Sequence, residues 1–461
     1  LERREGGRIG DKSTVGLSDQ LRERNFEVVR LKTGTPARAY RNSINWSELT
    51  PQQGDERFQP FSLRSSRKLK LPQIECFVTH TNQETHDIIR RNLDKSPMFC
   101  GIIEGIGPRY CPSIEDKIHR FADKSSHQSF LEPEGLTTDS IYIQGISTSL
   151  PESVQYEFLR TMPGLKDVKL IIPGYAVEYD SVEPRQLHHT LETKKIQSLY
   201  LAGQVNSTSG YEEAAAQGLV AGTNAALKIL GRDPMILSRS DAYIGVMIDD
   251  LVLKGTKEPY RMMTSRAEHR LVLREDNTLE RLAEIAFKVG LVNSELRDRY
   301  LQLLERRIDF KQTLESKQLV PNEITQTKLR TMGTPVLLKP CSYAELLRRA
   351  EVSSLDLSNF DISIPDDIDV WEPVEIDVKY AGYIKRQNLY IEQASRMEQL
   401  RIPSDLDYTR VVGLSREEVE KLQAVKPLNL GQAQRVSGVN PSAIQAMLMH
   451  IKAIERAQIR K

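Results

Sequence analysis

Cysteine is scarce in this chain, and one of its four cysteines sits where a thiol gains reactivity. Cys111 lies within "GPRYCPSIEDKIHRF", residues 107–121. Pro112 suits the first position of a helix, where its missing N–H costs nothing. Ser113 with Asp116 fits a capping box one residue further on. Glu115 and Asp116 favour a first turn, and Ile114, Ile118 and Phe121 recur at helical spacing. The spacing therefore predicts Cys111 at, or just before, a helix N-terminus. There the positive end of the helix dipole and Arg109 would lower the thiol's pKa and sharpen it as a nucleophile. The plainer reading is a small buried residue packed beside Tyr110. Cys76, inside an apolar strand, reads as core, and Cys100 and Cys341 have no reactive context.

Two further segments carry chemical potential. In "LYLAGQVNSTSGYEEAAAQGLVAGTNAA", residues 199–226, an apolar strand ends at Gly203 and a polar loop leads through Gly210 into a helix. Gly218, Gly222, Ala225 and Ala226 give that helix a small face suited to tight packing on a sheet. Strand, glycine loop and helix N-terminus form an anion site that a dinucleotide's phosphate would fit, or an ordinary βα unit. In "GTKEPYRMMTSRAEHRLVLREDN", residues 255–277, Ser265 and Glu268 fit a capping box. Arg266, Arg270 and Arg274 then fall on one helical face, with Lys257 and Arg261 upstream. Such a row suits phosphate contacts or, more simply, a solvated face partly neutralised by Glu268, Glu275 and Asp276.

The elements that must position these residues follow from periodicity. "FEVVRLKTG" and "IECFVTHT" read as strands, and "NQETHDIIRRNL" as a helix capped by Asn82. "DVKLIIPGY" (167–175) and "QSLYLAGQ" (197–204) read as buried strands; "PESVQYEFLRTM" (151–162) and residues 211–231 read as helices. After about residue 238 the pattern turns helical, broken by a Pro/Asp-rich stretch at 351–378. A long helix follows, then several short ones through 413–461. This predicts an α/β portion followed by an all-helical region. With 64 Lys+Arg against 63 Asp+Glu, there is no global basic field, so nucleic-acid binding requires a local patch. The scattered cysteines exclude a disulfide framework and a CxxC zinc site, and point to a reducing compartment. No run reaches the length of a membrane span.

These segments together resemble the MnmG/GidA family of flavoproteins, the tRNA uridine 5-carboxymethylaminomethyl modification enzymes and their mitochondrial relatives. The matching stretches include "GGRIGD", "RLKTGTPAR", "THTNQETHDIIRRNLDKSPMFCGIIEGIGPRYCPSIEDKIHRFAD", "PGYAVEYD", "LAGQVNSTSGYEEAAAQGLVAG", "KGTKEPYRMMTSRAEHRLVLREDN", "YAGYIKRQ" and "GQAQRVSGVNPSAI". The match fades only around 306–370. The resemblance implies non-covalent FAD, reduction by NADH, and methylenetetrahydrofolate as one-carbon donor. It also implies a MnmE-type GTPase partner and an aminomethyl-type group installed on carbon 5 of the tRNA wobble uridine. It assigns FAD contacts to Thr14, Gly203, Gln204 and Gly210. The nicotinamide stretch would be Gly107, Pro108, Arg109, Tyr110, Cys111, Pro112, Ser113, Ile114, Glu115, Asp116, Lys117, Ile118, His119, Arg120 and Phe121. Cys111 matches a family cysteine implicated in catalysis, with attack on uracil carbon 6 as a plausible role. The arginine row and Lys257 become a tRNA surface, and the helices of 381–461 a docking site for the GTPase. A homodimer in the bacterial cytoplasm, or in the mitochondrial matrix of a eukaryote, is the expected setting.

The expected fold is a partial FAD-binding Rossmann-like domain (1–36 and 107–237) with an inserted α+β segment on the NADH side (37–106). A helical, tRNA-facing region (238–380) and a helical partner-docking domain (381–461) follow. The chain opens "LERREGGRIGDKS" without an initiator Met and contains no GxGxxG unit. That predicts an N-terminally truncated member with weakened FAD affinity and activity. Two other classes compete. A helix-turn-helix is conceivable at Gln432, Gly438 and Pro441, but its second helix starts apolar and neutral, which suits a protein partner better than DNA. A small-molecule flavin oxidoreductase would lack both the helical tail and the arginine row. A non-catalytic fragment that retains tRNA or partner binding is the remaining alternative.

Overall fold

A computed structural model describes residues 5–7, 10–62, 64–97, 99–101, 103, 105, 107 and 112–459. The chain divides into two units, Leu1–Glu183 with Gln204–Gly210 and Thr256–Arg261, and Pro184–Gly203 with Tyr211–Gly255 and Met262–Lys461. The α/β portion followed by a helical region is present as expected.

In the first unit, helix α1 (Leu17–Glu23) precedes strand β1 (Val28–Thr35). Strands β2 (Arg38–Tyr40), β3 (Thr50–Gln52) and β4 (Cys76–His80) lead to helices α2 (Gln83–Arg91) and α3 (Ile114–Arg120). Strands β5 (Gln128–Pro133) and β6 (Ser140–Gln144), helix α4 (Glu152–Leu159), and strands β7 (Leu170–Ile172) and β8 (Tyr175–Val182) complete it. Six strands form one sheet in the order β3-β4-β5-β6-β2-β7, every pairing antiparallel. Alternation places Leu131, Ile141 and Ile143 on the covered face, where Ile88, Ile89, Ile114, Ile118 and Phe158 of the helices close a core. α2 starts as expected: Asn82 accepts from the Thr85 N–H at 3.0 Å, and Thr85 reciprocates in a capping box. β1 pairs antiparallel with β8 over its whole length, Val28 opposite Val182 and Thr35 opposite Tyr175.

The second unit is helical. It holds α5 (Tyr211–Ile229), α6 (Tyr243–Asp249) continued by a π-helical turn (Asp250–Lys254), α7 (Thr278–Val289), α8 (Ser294–Ser316) and α9 (Glu323–Thr331). Then come α10 (Tyr343–Leu347), α11 (Ile368–Gln399), α12 (Arg416–Val425), α13 (Leu430–Arg435) and α14 (Pro441–Ile459). Among the described residues no helix is long and apolar enough to cross a membrane.

Three local expectations change. Residues 197–204 form no strand: Tyr200 makes a single bridge to Glu192, and Gly203–Asn206 is a 3-10 turn. A strand needs a partner along its length, and none of the described strands lies beside this one. The small face of α5 points outward, with open space around Gly218 and Gly222, while Gln217, Val220, Ala221, Asn224 and Leu227 are buried. Finally, α11 begins inside the Pro/Asp-rich stretch and contains Pro373. A proline there cannot bond the carbonyl four residues back, that of Asp369. Arg307 supplies the missing donor, its Nε giving a hydrogen bond to that carbonyl at 2.7 Å. The same guanidinium reaches the Asp276 carbonyl at 3.0 Å and Glu280 at 2.6 Å, so one buried arginine joins α7, α8 and α11.

Candidate functional site

The described part of the "GPRYCPSIEDKIHRF" segment builds one wall of a narrow cleft in the first unit. Ser113 caps α3 as expected, accepting from the Asp116 N–H at 3.2 Å. The Ile114 N–H is anchored to the Ser147 carbonyl at 2.7 Å, which fixes the segment against the loop after β6. Lys32, Thr33, Gly34 and Ala176 of the β1–β8 ribbon form the opposite wall, and Gly107, Pro112, Ser113, Asp116, Thr148 and Ser149 complete the lining. Pro108, Arg109, Tyr110 and Cys111 lie outside the described residues, so the nucleophile reading concerns the segment between two residues of the lining, Gly107 and Pro112.

The structure divides the nicotinamide stretch. Ile114, Glu115 and Ile118 are fully buried and face the core. Asp116 and Ser113 turn to the cleft, Lys117 donates to the Gly145 carbonyl at 2.7 Å, and the His119 ring meets Phe99 edge-on.

Two charged groups at this site were not singled out as a pair by sequence. Glu115 is an enclosed carboxyl. Its Oε1 accepts from the Thr148 hydroxyl at 3.0 Å, the Ser149 N–H at 3.2 Å and the Ser96 hydroxyl at 3.3 Å. Its Oε2 is buried with no hydrogen-bond partner. Burial pushes this carboxyl upward, against the hydrogen bonds that favour its charge. Lys32 is only 7% exposed. Burial pushes its ammonium down, against the pull of Asp116, Glu115 and Glu178. Gly107 lies against the Lys32 stem, where a Cβ would stand 2.8 Å from Lys32 Cε, and Gly105 lies against the strand backbone, where a Cβ would stand 2.9 Å from the Leu31 carbonyl carbon. The spaced glycines of "EGIGP" were the available signal that another chain segment crosses here at close range.

Glu115 gives a direct test. Its folded pKa is raised, so its contribution is complete at acid pH, below its ordinary value, and fades as pH rises through the folded value. Glu115→Gln keeps the oxygen that accepts three hydrogen bonds and removes the ionisation. We expect a flatter stability–pH curve from Glu115→Gln, and a loss of about 2–4 kcal/mol from Glu115→Ala, which leaves buried donors unpaired and a void. Denaturant melts across pH check both.

The positions assigned to flavin are divided between the two units. In the first, Gln204 is exposed, Thr14 lies on an exposed segment, and Gly210 is buried at the end of the loop before α5. In the second, Gly203 has φ +76, and an added Cβ would stand 3.4 Å from the Ala214 Cβ. Its N–H donates to Gln217 at 2.8 Å. The positive φ turns the chain tightly toward α5, with the glycine packed against Ala214 and its N–H committed to Gln217.

The arginine row is not a helical face. Only Thr264–Arg266 makes a 3-10 turn, and the chain then runs through turns to the start of α7. The expected capping partner, Glu268, instead takes a bidentate pair from Arg239, at 2.7 and 2.8 Å. Arg274 is largely buried and is held by Asp276 and Asp377. Arg270 is exposed, as is Lys257 in the other unit; Arg261 and Arg266 are half-buried. Arg239 is the centre of a buried network. It donates to Asp249 at 3.2 Å and Asp250 at 2.8 Å, while Arg435 forks onto Asp249 at 2.7 and 2.9 Å and His189 meets it at 3.2 Å.

A family model described as glucose inhibited division protein A matches residues 1–233. Models of the tRNA modifying enzyme MnmG/GidA match residues 294–388 (C-terminal helical domain) and 390–461 (C-terminal helical bundle). The chain is 60% identical over 452 residues to a tRNA uridine 5-carboxymethylaminomethyl modification enzyme of Bdellovibrio bacteriovorus, covering 98% of this chain and 70% of the relative. It is 51% identical to the enzyme of the same name from Geobacter sulfurreducens, covering 97% of this chain and 72% of the relative. Two crystal forms of Aquifex aeolicus GidA share its fold, each with a TM-score of 0.86, at 43% and 44% identity. They are matched over 97% and 98% of this chain, and 71% and 73% of theirs.

Proposed function

The chain belongs to the MnmG/GidA family of tRNA-modifying enzymes, and on that premise we propose that it modifies the wobble uridine of tRNA, adding a carboxymethylaminomethyl or aminomethyl group at carbon 5. The observation that carries this reading is 60% identity sustained over 98% of the chain to a relative named for that activity. FAD and NADH are the proposed cofactors and methylenetetrahydrofolate the one-carbon donor. A MnmE-type GTPase is the proposed partner, docking on the helices of 381–461, and the assembly is a homodimer.

Gly203, Gln204, Gly210 and Thr14 would hold the flavin; of these, Gln204 and Thr14 are exposed to a ligand. The flavin, when bound, supplies the redox chemistry. The residues of 107–121 that face away from the core, Ser113 and Asp116 among them, are the ones available to a nicotinamide ligand or substrate. In this reading Cys111 adds to carbon 6 of the uracil and makes carbon 5 nucleophilic. Lys257, Arg261, Arg266 and Arg270 are the proposed phosphate contacts; Arg274 is committed to Asp276 and Asp377.

The test is a reconstitution: the purified chain with FAD, NADH, the one-carbon donor, the GTPase partner and unmodified tRNA, followed by nucleoside mass spectrometry. Carboxymethylaminomethyl- or aminomethyluridine is the expected product, formed at saturating FAD and at the reduced activity that the sequence predicts. Unmodified uridine under these conditions would overturn the reading.

A further inference from the structure

The connection between β3 and β4, in the first unit, carries a charge pattern that the fold does not use. These strands pair antiparallel, with Gln52 opposite Cys76, yet the chain runs from Gln53 to Glu75 before it returns, without a helix or strand among the described residues. A hairpin needs only about 2–5 residues to turn, and a connection this long is uncommon unless it serves a function. The segment is not slack. Gln53 Nε2 donates to Glu75 Oε1 at 3.0 Å, Gln73 Nε2 to the Asp55 carbonyl at 3.4 Å, and Arg67 Nη1 to Gln59 Oε1 at 3.4 Å. Each pair joins the outgoing leg to the returning one, so the segment stands as a two-legged arm on the β3 edge of the six-stranded sheet. Its tip turns at Ser62–Ser65, where the Ser65 N–H donates to the Ser62 carbonyl at 2.9 Å.

Residues 57–74 contain Arg57, Arg64, Arg67, Lys68 and Lys70 and no carboxylate. The whole chain balances 64 Lys+Arg against 63 Asp+Glu, so the arm is a local basic patch of the kind that polyanion binding requires. Arg64, Lys68 and Lys70 are exposed, and among the described residues their side chains form no hydrogen bond and no ion pair. Phe61, at the tip, is fully exposed, and Leu69 and Leu71 alternate with lysines on the returning leg. A ring that lies wholly in water adds nothing to the core; what it offers is a flat face for stacking.

We propose that this arm binds RNA, with Arg64, Lys68 and Lys70 on backbone phosphates and the Phe61 ring stacked on an unpaired base. The inference rests on the functional reading above, which makes that RNA the substrate tRNA. It adds a contact surface far in sequence from Lys257, Arg261, Arg266 and Arg270. RNA suits the arm better than other polyanions. Cations strung along an irregular backbone can follow a phosphate chain, and an aromatic ring among them accepts the face of any base. A membrane surface favours an amphipathic helix with its apolar residues gathered on one side, and the described residues of the arm contain no helix. An acidic protein would engage the cations and leave the ring without a stacking partner.

Anisotropy titration of the full chain with labelled, unmodified tRNA reads binding without turnover. The triple variant Arg64→Gln, Lys68→Gln, Lys70→Gln should bind at least about tenfold more weakly at about 100 mM salt, and its plot of log affinity against log salt should be shallower by about 2, as expected for three phosphate contacts on a single strand. Phe61→Ala should weaken tRNA binding by at least about fivefold with the salt slope unchanged, and Phe61→Tyr, which keeps the ring, should bind as wild type does. Thermal melting should not move in any of these variants, because the substituted side chains are exposed. Wild-type affinity and slope in the triple variant would overturn the proposal, as would wild-type affinity in Phe61→Ala. A triple variant that loses phosphatidylglycerol vesicles or polyglutamate while still holding tRNA would give the arm to a membrane or an acidic protein, and would overturn it too. Weakened tRNA binding in the variants, with no modification by wild type in the reconstitution above, would sink the functional reading alone. Modification by wild type, with the triple variant binding tRNA equally well, would sink the arm alone.

Discussion

Arg239→Met is expected to destabilise the helical unit by about 3–5 kcal/mol, the range for breaking a buried ion pair from one side. The guanidinium joins Asp249, Asp250 and Glu268 and also donates to the Val246 and Arg266 carbonyls at 3.2 and 3.1 Å. Methionine fills the space but leaves two aspartates, both under 9% exposed, short of a counter-ion. Arg435 and His189 still hold Asp249, and Lys254 still pairs with Asp250 from a half-exposed position. The denaturant midpoint should fall with little change in slope. Arg22→Met provides the contrast: the arginine is half-exposed, its partners are Asp19, which is exposed, and Asp180, which keeps Arg30, and the expected change is below about 1 kcal/mol. The network also sets an acid limit. Burial works against the charge of Asp249, and hydrogen bonds from His189 and Arg435 overcome it, holding the carboxyl below the usual range. Its contribution is complete above the ordinary Asp value of 3.8 and is lost as pH falls below that value toward the folded one. A comparable fall at neutral pH from Arg22→Met would remove the network from the account.

That network explains why one sequence expectation failed where others held. The cap of α2 and the place of β1 are local matters, settled by Asn82 and Thr85 three residues apart and by Val28, Val29 and Leu31 ahead of the Gly34 turn signal. The arginine row depended on Glu268 capping a helix from Ser265. Arg239, 29 residues upstream, holds Glu268 by two hydrogen bonds, and no local pattern encodes that pairing. Burial of the whole network outweighs a capping box, which is worth about 1 kcal/mol.

The candidate site divides along the same line. Ser113 as the cap of α3 was legible because its partner, the Asp116 N–H, is close in sequence. Lys32 was not. In "VVRLKTG" it reads as a strand lysine pointing to solvent, and Leu31 beside it is the residue that alternation would bury. Both are buried, because Gly105, Gly107, Thr148 and Ser149 converge on that stretch from distant parts of the chain. Composition marks such a site only through the glycines that permit the approach.

Cys111→Ser is expected to reduce uridine modification by at least about a thousandfold, the scale of effect when a step loses its nucleophile. In the proposed addition, the thiolate sulfur bonds to carbon 6 of the uracil, and the electrons of the 5,6 double bond pass through carbon 5 toward the carbonyl at carbon 4. Carbon 5 is then an enolate carbon able to attack an electrophilic one-carbon unit. Loss of its hydrogen as a proton and expulsion of the thiolate restore the ring. A serine hydroxyl ionises far less readily than a thiol of pKa about 8.5, so the variant should retain the shape of the segment without the nucleophile. tRNA carrying 5-fluorouridine at the wobble position separates this role from a packing role. Fluorine at carbon 5 leaves no proton to lose after the new bond forms there, so the sulfur–carbon 6 bond persists in a denaturing gel. The wild-type chain should form that adduct, and Cys111→Ser should form none while binding the tRNA as before. An adduct that survives the substitution would assign the nucleophile to another residue.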